Sequence, residues 1–347
     1  MSRRTLVASI AAVMIGVLAI VAGLVAVLRD GGGDAGPVSR PPSATPEERP
    51  AVAPLTGLPA GTDLDHPAVA IKVSDVRHAH PQVGVDHADI VFAEPIGVSY
   101  TRLAAVSHST MPELVGPVRS VRPADAPLLG PLAAVFGNTM GAGWVMDYVD
   151  SVADLDDLGT LRAGDSDAYV IDSDRPAPDH VFARPAALLE LSDRTAPPSP
   201  YFAYAAGGAP SSAEAGGGPG SAIEISYGPT WQVAWTYDAA SGTYLRDEPW
   251  GSHVMAGGTG ISAVNVLVLD VTATVGKIGT GSGAPVPILD LVDASGRFQA
   301  FAGGASVTGT WSKGDVNEPF QFRTDAGDEL LLEPGNTWVE LPPAFRG

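Results

Sequence analysis

From Leu6 to Leu28 the chain runs for 23 residues with Ser9 as its only polar side chain. As an α-helix this run would be roughly 34 Å long, enough to cross a hydrocarbon layer of about 30 Å. Arg3 and Arg4 precede it, whereas Arg29 is followed at once by Asp30. The positive-inside bias therefore holds the N-terminus in the cytoplasm and sends the rest outside. The competing reading is a cleaved secretory leader. The apolar region of a leader is usually only about 7–15 residues long, which favours an uncleaved anchor, although Gly33 and Ala35 are small enough for a cut. In both readings the body is exported to the extracytoplasmic side.

Cysteine is absent, which removes disulfides, thiol catalysis, Cys-ligated zinc and an acylated lipoprotein N-terminus from consideration. An oxidising exterior permits disulfides without requiring them. Residues 1–30 hold three arginines and one aspartate, so the net charge of −19 becomes −21 for the body alone. Such a body is repelled by nucleic acid and by anionic lipid, and nucleic-acid binding is excluded.

Composition divides the remainder. Residues 31–54 are dense in Gly, Pro and charge and read as a flexible tether. Residues 205–222, "AAGGAPSSAEAGGGPGSA", read as a linker or long loop. Between them, residues 55–204 carry strand patterns at Ala68–Val73, Asp89–Glu94 and Arg102–His108. Helical patterns occupy Ala126–Phe136 and Arg184–Ser192, each with proline near its start. That combination predicts an α/β domain. Residues 223–347 are short β-rich runs punctuated by Gly, Asp and Pro, and predict a roll, sandwich or barrel-like domain. The expected architecture is α+β or α/β: a transmembrane anchor at residues 1–30, the tether, an α/β domain and a β-rich domain.

Several motifs recur in order along the body. They include "PLTGLP" (Pro54–Pro59), "ADIVFAE", "YTRLAAV", "GPVRSVRP" (Gly116–Pro123) and "RPAPDHVF" (Arg175–Phe182). "WTYDAASGTYLR", "NVLVLD", "VTGTWSK" and "PGNTWVELPP" continue the series to Pro343. On these motifs the chain resembles the YerB-like family of exported, membrane-anchored bacterial proteins, a domain of unknown function in two parts. The resemblance implies a two-part body facing the envelope and no particular reaction. It departs from the family in two ways. Members are commonly lipoproteins, and they usually read Pro-His-Asn where this chain has Pro178, Asp179 and His180.

"GPVRSVRP" places Arg119 and Arg122 three residues apart between prolines, in a chain with only 20 Lys and Arg against 39 Asp and Glu. In polyproline II geometry, residues three apart point the same way, about 9 Å apart. The two arginines would then form a cationic comb suited to carboxylate or phosphate, with Asp125 capping a helix from Ala126. Glu94 and Arg102 join them if their strands pair, and the turn at Asn138 lies in the same region. His180 belongs to the departing turn, and Lys313, one of three lysines, sits in "GTWSK". The opposing reading has both arginines paired with the acidic surplus in a structural network.

His78, His80 and His87 with Asp86 and Asp89 invite a metal reading, but a proline-containing surface loop with no third well-placed ligand argues against it. The aspartates of Asp165–His180 lack the spacing of a calcium loop. No metal and no cofactor is expected. Five tryptophans of the second half read mainly as core. No nucleophile elbow, Walker loop or His-Glu-x-x-His is present. The function expected is a binding module for an anionic or polyhydroxyl cell-envelope polymer, or for an envelope protein. The alternative is a metal-independent cell-wall glycan hydrolase or lyase using carboxylates such as Glu94 and Asp125.

Overall fold

Three strands form the centre of the molecule where the strand patterns place them: β1 (Val69–Ser74), β2 (Ile90–Pro95) and β3 (Thr101–Ser107). Every residue in them is buried, because both faces of the sheet are covered. Successive side chains alternate between two cores. Ala70, Phe92, Ala104 and Val106 enter the first, while Ile71, Val91, Leu103 and Ala105 enter the second. β3 pairs antiparallel with β1 on one side and β2 on the other.

This computed structural model describes residues 52–61, 64–97 and 99–345. The anchor expected at residues 1–30 and nearly all of the tether lie outside the described residues. Among the described residues no helix is long and apolar enough to cross a membrane.

The central sheet draws on the whole body. Beyond β1 it continues through β4 (Val135–Gly137) and β5 (Asp156–Asp157), in parallel. Beyond β2 come strands from the second half: β6 (Asn265–Leu269), β7 (Ala294–Ala302), β8 (Ala305–Lys313), β9 (Gln321–Thr324) and β10 (Thr337–Glu340). The order is β9-β8-β7-β6-β10-β2-β3-β1-β4-β5, with Gly218–Pro219 added beside β8. β10 lies between β2 and β6, parallel to both, and sets Trp338 level with Val91 and Val266. The two halves of the sequence thus share one mixed sheet within one compact unit.

A meander of Ala222–Gly228, Trp231–Asp238 and Thr243–Glu248 covers the second core. Its residues alternate exposed and buried, so Ile225, Tyr227, Trp235 and Tyr244 point inward. The first core is closed by helices Asp125–Leu129 and Gly143–Val152 with Tyr201 and Phe202. Trp231, Trp235, Trp311 and Trp338 are buried, and Trp250 is half-buried, so the aromatic residues of the second half are chiefly core.

The body is mostly β with few helices, and the expected α/β first half is met in part, since helices at Asp125–Leu129, Gly143–Val152, Thr160–Ala163 and Pro185–Leu191 accompany its strands. Ala126–Phe136, read as one helix, is three elements. Pro131 has no N–H to donate, so the helix ending at Leu129 tightens into a 3-10 turn at Gly130–Leu132, and β4 follows. Pro185–Leu191 is helical as expected. Residues 205–222 are structured: Ser211 and Glu214 form a capping box at the helix Ser212–Gly216.

Candidate functional site

By the alternation of the sheet, Lys72, Glu94 and Arg102 fall on the face of Ala70, Phe92 and Ala104, where β1 and β2 end and β3 begins. Glu94 stands directly opposite Arg102, as strand pairing predicts. The Glu94 carboxylate is not taken by that arginine. It pairs with Lys72 Nζ, which also donates to Asp125 Oδ1 at 2.6 Å. All three side chains are at most 1% exposed. Burial, with Asp125 close by, outweighs the attraction of Lys72 and pushes the Glu94 carboxyl up to about 7.

Residues 117–121 run beside this end of the sheet. Ser74 N donates to Pro117 O, Arg119 N to Lys72 O, Thr139 N to Arg119 O and Val121 N to Met140 O. These bonds make the segment an irregular addition to β1 and replace the unbonded polyproline comb expected from the prolines. A second correction concerns Asp125. It is the first residue of its helix, and Ala124 holds the cap position with no side-chain bond. Asp125 Oδ2 instead accepts from Arg122 N at 2.7 Å, tying the arginine segment to the helix.

Even so, the arginines converge. Arg102 Nη1 donates to Ser120 O at 3.0 Å. Arg122 Nη1 donates to Val121 O at 2.8 Å and reaches Ser120 O at 3.4 Å. Two guanidiniums thus share one backbone carbonyl, and neither is paired with a carboxylate among the described residues. Arg119 Nη1 lies 3.6 Å from Asp179 Oδ1, at the long end of an ion pair, and its side chain is 22% exposed. The Nε atoms of Arg102, Arg119 and Arg122 are buried without any hydrogen-bond acceptor. Burial holds the pKa of Arg102 well below the ordinary arginine value, and repulsion from Arg122 and Arg119 lowers it further. Burial likewise lowers that of Arg122, against the pull of Glu94 and Asp125. Three guanidiniums thus cluster and repel one another, each with a buried Nε left without an acceptor among the described residues.

The remaining expected residues divide. Asp179, buried, adjoins Arg119 and lies 2.9 Å from the exposed His78. Its neighbour His180 is half-buried, with Nδ1 buried and unbonded, and Val118 N donates to Val181 O alongside. The departing Pro-Asp-His turn therefore borders the arginines. Asn138 does not join them: its amide donates to Asp157 Oδ1 at 2.7 Å and its oxygen accepts from Met140 N. Lys313 bonds the carbonyls of Asp315, Val316 and Glu318, and burial lowers it to about 8. It braces a loop, with no contact to the arginines. Lys72 was not singled out from the sequence, although a lysine inside the apolar strand "AVAIKV" of a chain with three lysines is the available signal.

Comparison with known proteins agrees with the family read from the motifs. Residues 55–197 match the family described as "Protein of unknown function (DUF3048) N-terminal domain", and residues 223–339 match its C-terminal domain. The chain belongs to this two-part, YerB-like family. A relative named as a lipoprotein, YerB of Bacillus subtilis (strain 168), is 44% identical over 71 residues, a stretch spanning 20% of this chain and 22% of that relative. The crystal structure of the Bacillus subtilis YerB protein shares the fold. Its TM-score is 0.72 at 22% identity, over 84% of this chain and 96% of that one.

Proposed function

We propose that this chain is a membrane-anchored envelope protein whose body binds an anionic or polyhydroxyl component on the extracytoplasmic side. Arg102, Arg119 and Arg122 would receive the anionic group. One observation carries this reading. In a chain with 39 acidic residues, two of three clustered guanidiniums have no carboxylate partner among the described residues, and all three keep a buried donor without an acceptor there. A purely structural network would have used the acidic surplus to close them. The relative named as a lipoprotein supports anchoring and export, and the run Leu6–Leu28 offers the means without an acylated cysteine.

Peptidoglycan fits the chemistry, since its peptide carboxylates suit forked guanidinium donors and its sugars supply hydroxyls. The test is to incubate the full chain, in detergent micelles, with purified peptidoglycan. Pelleting with the polymer and no release of soluble fragments is the expected result. Failure to pellet would exclude this polymer as the ligand. Release of fragments would point instead to the carboxylate hydrolase, for which Glu94 is the candidate acid at about 7. Its near-complete burial against Lys72 favours binding.

A further inference from the structure

A second polar cluster lies under the meander, on the other face of the sheet. Asp75 continues the row of Ile71 and Val73, and Glu340 that of Trp338. Arg246 and Glu248 come from the meander, His253 from the loop after it, and His80 and Gln82 from the loop after β1. Asp75, Glu248, His253, Glu340 and Arg246 are all buried, and the side chain of His80 at the rim is 9% exposed.

Charge is the first clue. Arg246 reaches Glu340 Oε1 through Nε at 3.4 Å and Asp75 Oδ2 through Nη2 at 3.3 Å, and it pairs with Glu248 through Nη1. Among the described residues no other lysine or arginine pairs with these groups. Three buried carboxylates therefore share one guanidinium, a negative surplus even with Glu248, whose carboxyl burial pushes well above its ordinary range, counted as neutral, in a place where unbalanced charge is costly.

Donor atoms are the second clue. Glu248 Oε2 and His80 Nε2 are buried without a well-aligned hydrogen bond, and both side chains crowd Asp75, His80 Nε2 standing 3.4 Å from Asp75 Oδ1. The Gln82 amide donates to Ser74 O at 2.6 Å, which turns its oxygen toward His253 Nε2, 2.8 Å away. That oxygen can only accept, so His253 carries its proton on Nε2 and presents the Nδ1 lone pair to the cluster. A carbonyl fixing the far nitrogen of an imidazole is the arrangement found behind metal-ligating histidines.

We propose that Asp75, His80, Glu248 and His253 bind a divalent transition-metal ion of the zinc type. One donor atom from each lies within 4.8 Å of the others. Bonds of about 2.1 Å bring tetrahedral ligands to roughly 3.4 Å, so the set closes by a little over an ångström on binding. Two imidazole nitrogens and two carboxylate oxygens suit such an ion better than calcium or magnesium. Its positive charge offsets that surplus and favours the ionised form of Glu248. Arg246 Nη1, now 2.9 Å from His253 Nδ1, gives up that contact and keeps Asp75 and Glu340 through its other nitrogens. His80, packed edge-on against the half-buried Trp250, is the point of entry.

The test uses the full chain in detergent, stripped with EDTA, re-exposed to Zn²⁺ and desalted, with bound metal measured by elemental mass spectrometry. About one equivalent per chain is expected, with a rise in Tm of about 5 °C at a hundredfold excess over Kd. Glu248→Gln and His80→Gln should each weaken binding at least tenfold, and Gln82→Ala, acting through His253, by about 10–100-fold. His87→Gln, at an exposed position outside the cluster, should leave it unchanged. If Glu248→Gln fails to fold, His80→Gln at the rim still decides the matter. Less than a tenth of an equivalent in the unmodified chain would overturn the proposal, and so would metal retained at full affinity by His80→Gln.

Discussion

The two buried clusters occupy opposite faces of the same end of one sheet, and they are out of balance in opposite directions. On the first face, Lys72, Arg102, Arg119 and Arg122 meet Glu94, Asp125 and Asp179. On the second, Arg246 alone meets Asp75, Glu248 and Glu340. The fittings differ as well. Arg246 uses all three nitrogens on carboxylates and lies over the rings of Trp338 and Trp235, at 4.8 and 5.9 Å. Arg102 and Arg122 bond only backbone carbonyls and keep donors in hand. One cation is closed by carboxylates, whereas the others are held by backbone carbonyls with a buried Nε unbonded. If the proposed binding role holds, the difference separates an arginine that stabilises from arginines that present.

The largest effect should come from removing the locked cation. Arg246→Met leaves three buried carboxylates without a guanidinium, and breaking such pairs costs about 3–5 kcal/mol. Urea unfolding at neutral pH should show this loss, with little change in the slope of the transition. A loss below about 1 kcal/mol would mean that the second face does not depend on its cation.

Next is Lys72→Met. It removes the ammonium shared by Glu94 and Asp125, and should cost about 3 kcal/mol at pH 8. The cost should shrink toward pH 5, because Glu94 can accept a proton in place of its partner. A penalty as large as that of Arg246→Met at every pH would erase the distinction between the two faces.

Arg119→Ala and Arg122→Ala test presentation itself. Each should weaken binding to the envelope polymer by about 1.5–3 kcal/mol, the scale of a hydrogen bond to a charged group. Unfolding free energy should move by less than about 1 kcal/mol, since Arg119 has one long ion pair at a partly exposed position. Equal losses in stability and binding would return both residues to a structural role.

How much of this was legible in the sequence depends on the range over which each part is encoded. The strands β1, β2 and β3 were legible because each is a short local run of apolar, largely β-forming residues, and with them the facing of Glu94 and Arg102. The arginine pair stood out against an acidic composition. Its backbone geometry did not, because pairing with β1 outweighs the local preference of the prolines. Asn138 and Lys313 misled for a related reason: both are spent on backbone and neighbouring groups, and only contacts reveal that. The second cluster was beyond reach. Asp75, Glu248 and Glu340 come from three distant parts of the chain, and β10 must be placed between β2 and β6 before their shared face exists.

The last predicted effect, read as a slope with pH, follows from two carboxylates sharing one ammonium on the first face. Glu94 titrates near 7 in the folded chain, against an ordinary value of 4.5, chiefly because it is buried. Between those values the folded chain holds a proton that the unfolded chain has released. The contribution of Glu94 to stability is therefore fully present below pH 4.5 and is lost as the pH rises through 7. Glu94→Gln keeps the shape and removes the titration. The stability of the unmodified chain relative to this variant should thus decline by about 1 kcal/mol per pH unit from 4.5 to 7, and stay level on either side. Chemical unfolding of both proteins across this range measures it. A difference that is level from 4.5 to 7 and instead rises with pH below 4.5 would place the Glu94 carboxyl below its ordinary value. Lys72 would then be a dominant partner, as Arg246 is on the opposite face, and the asymmetry between the two clusters would fail at the residue where it is easiest to measure.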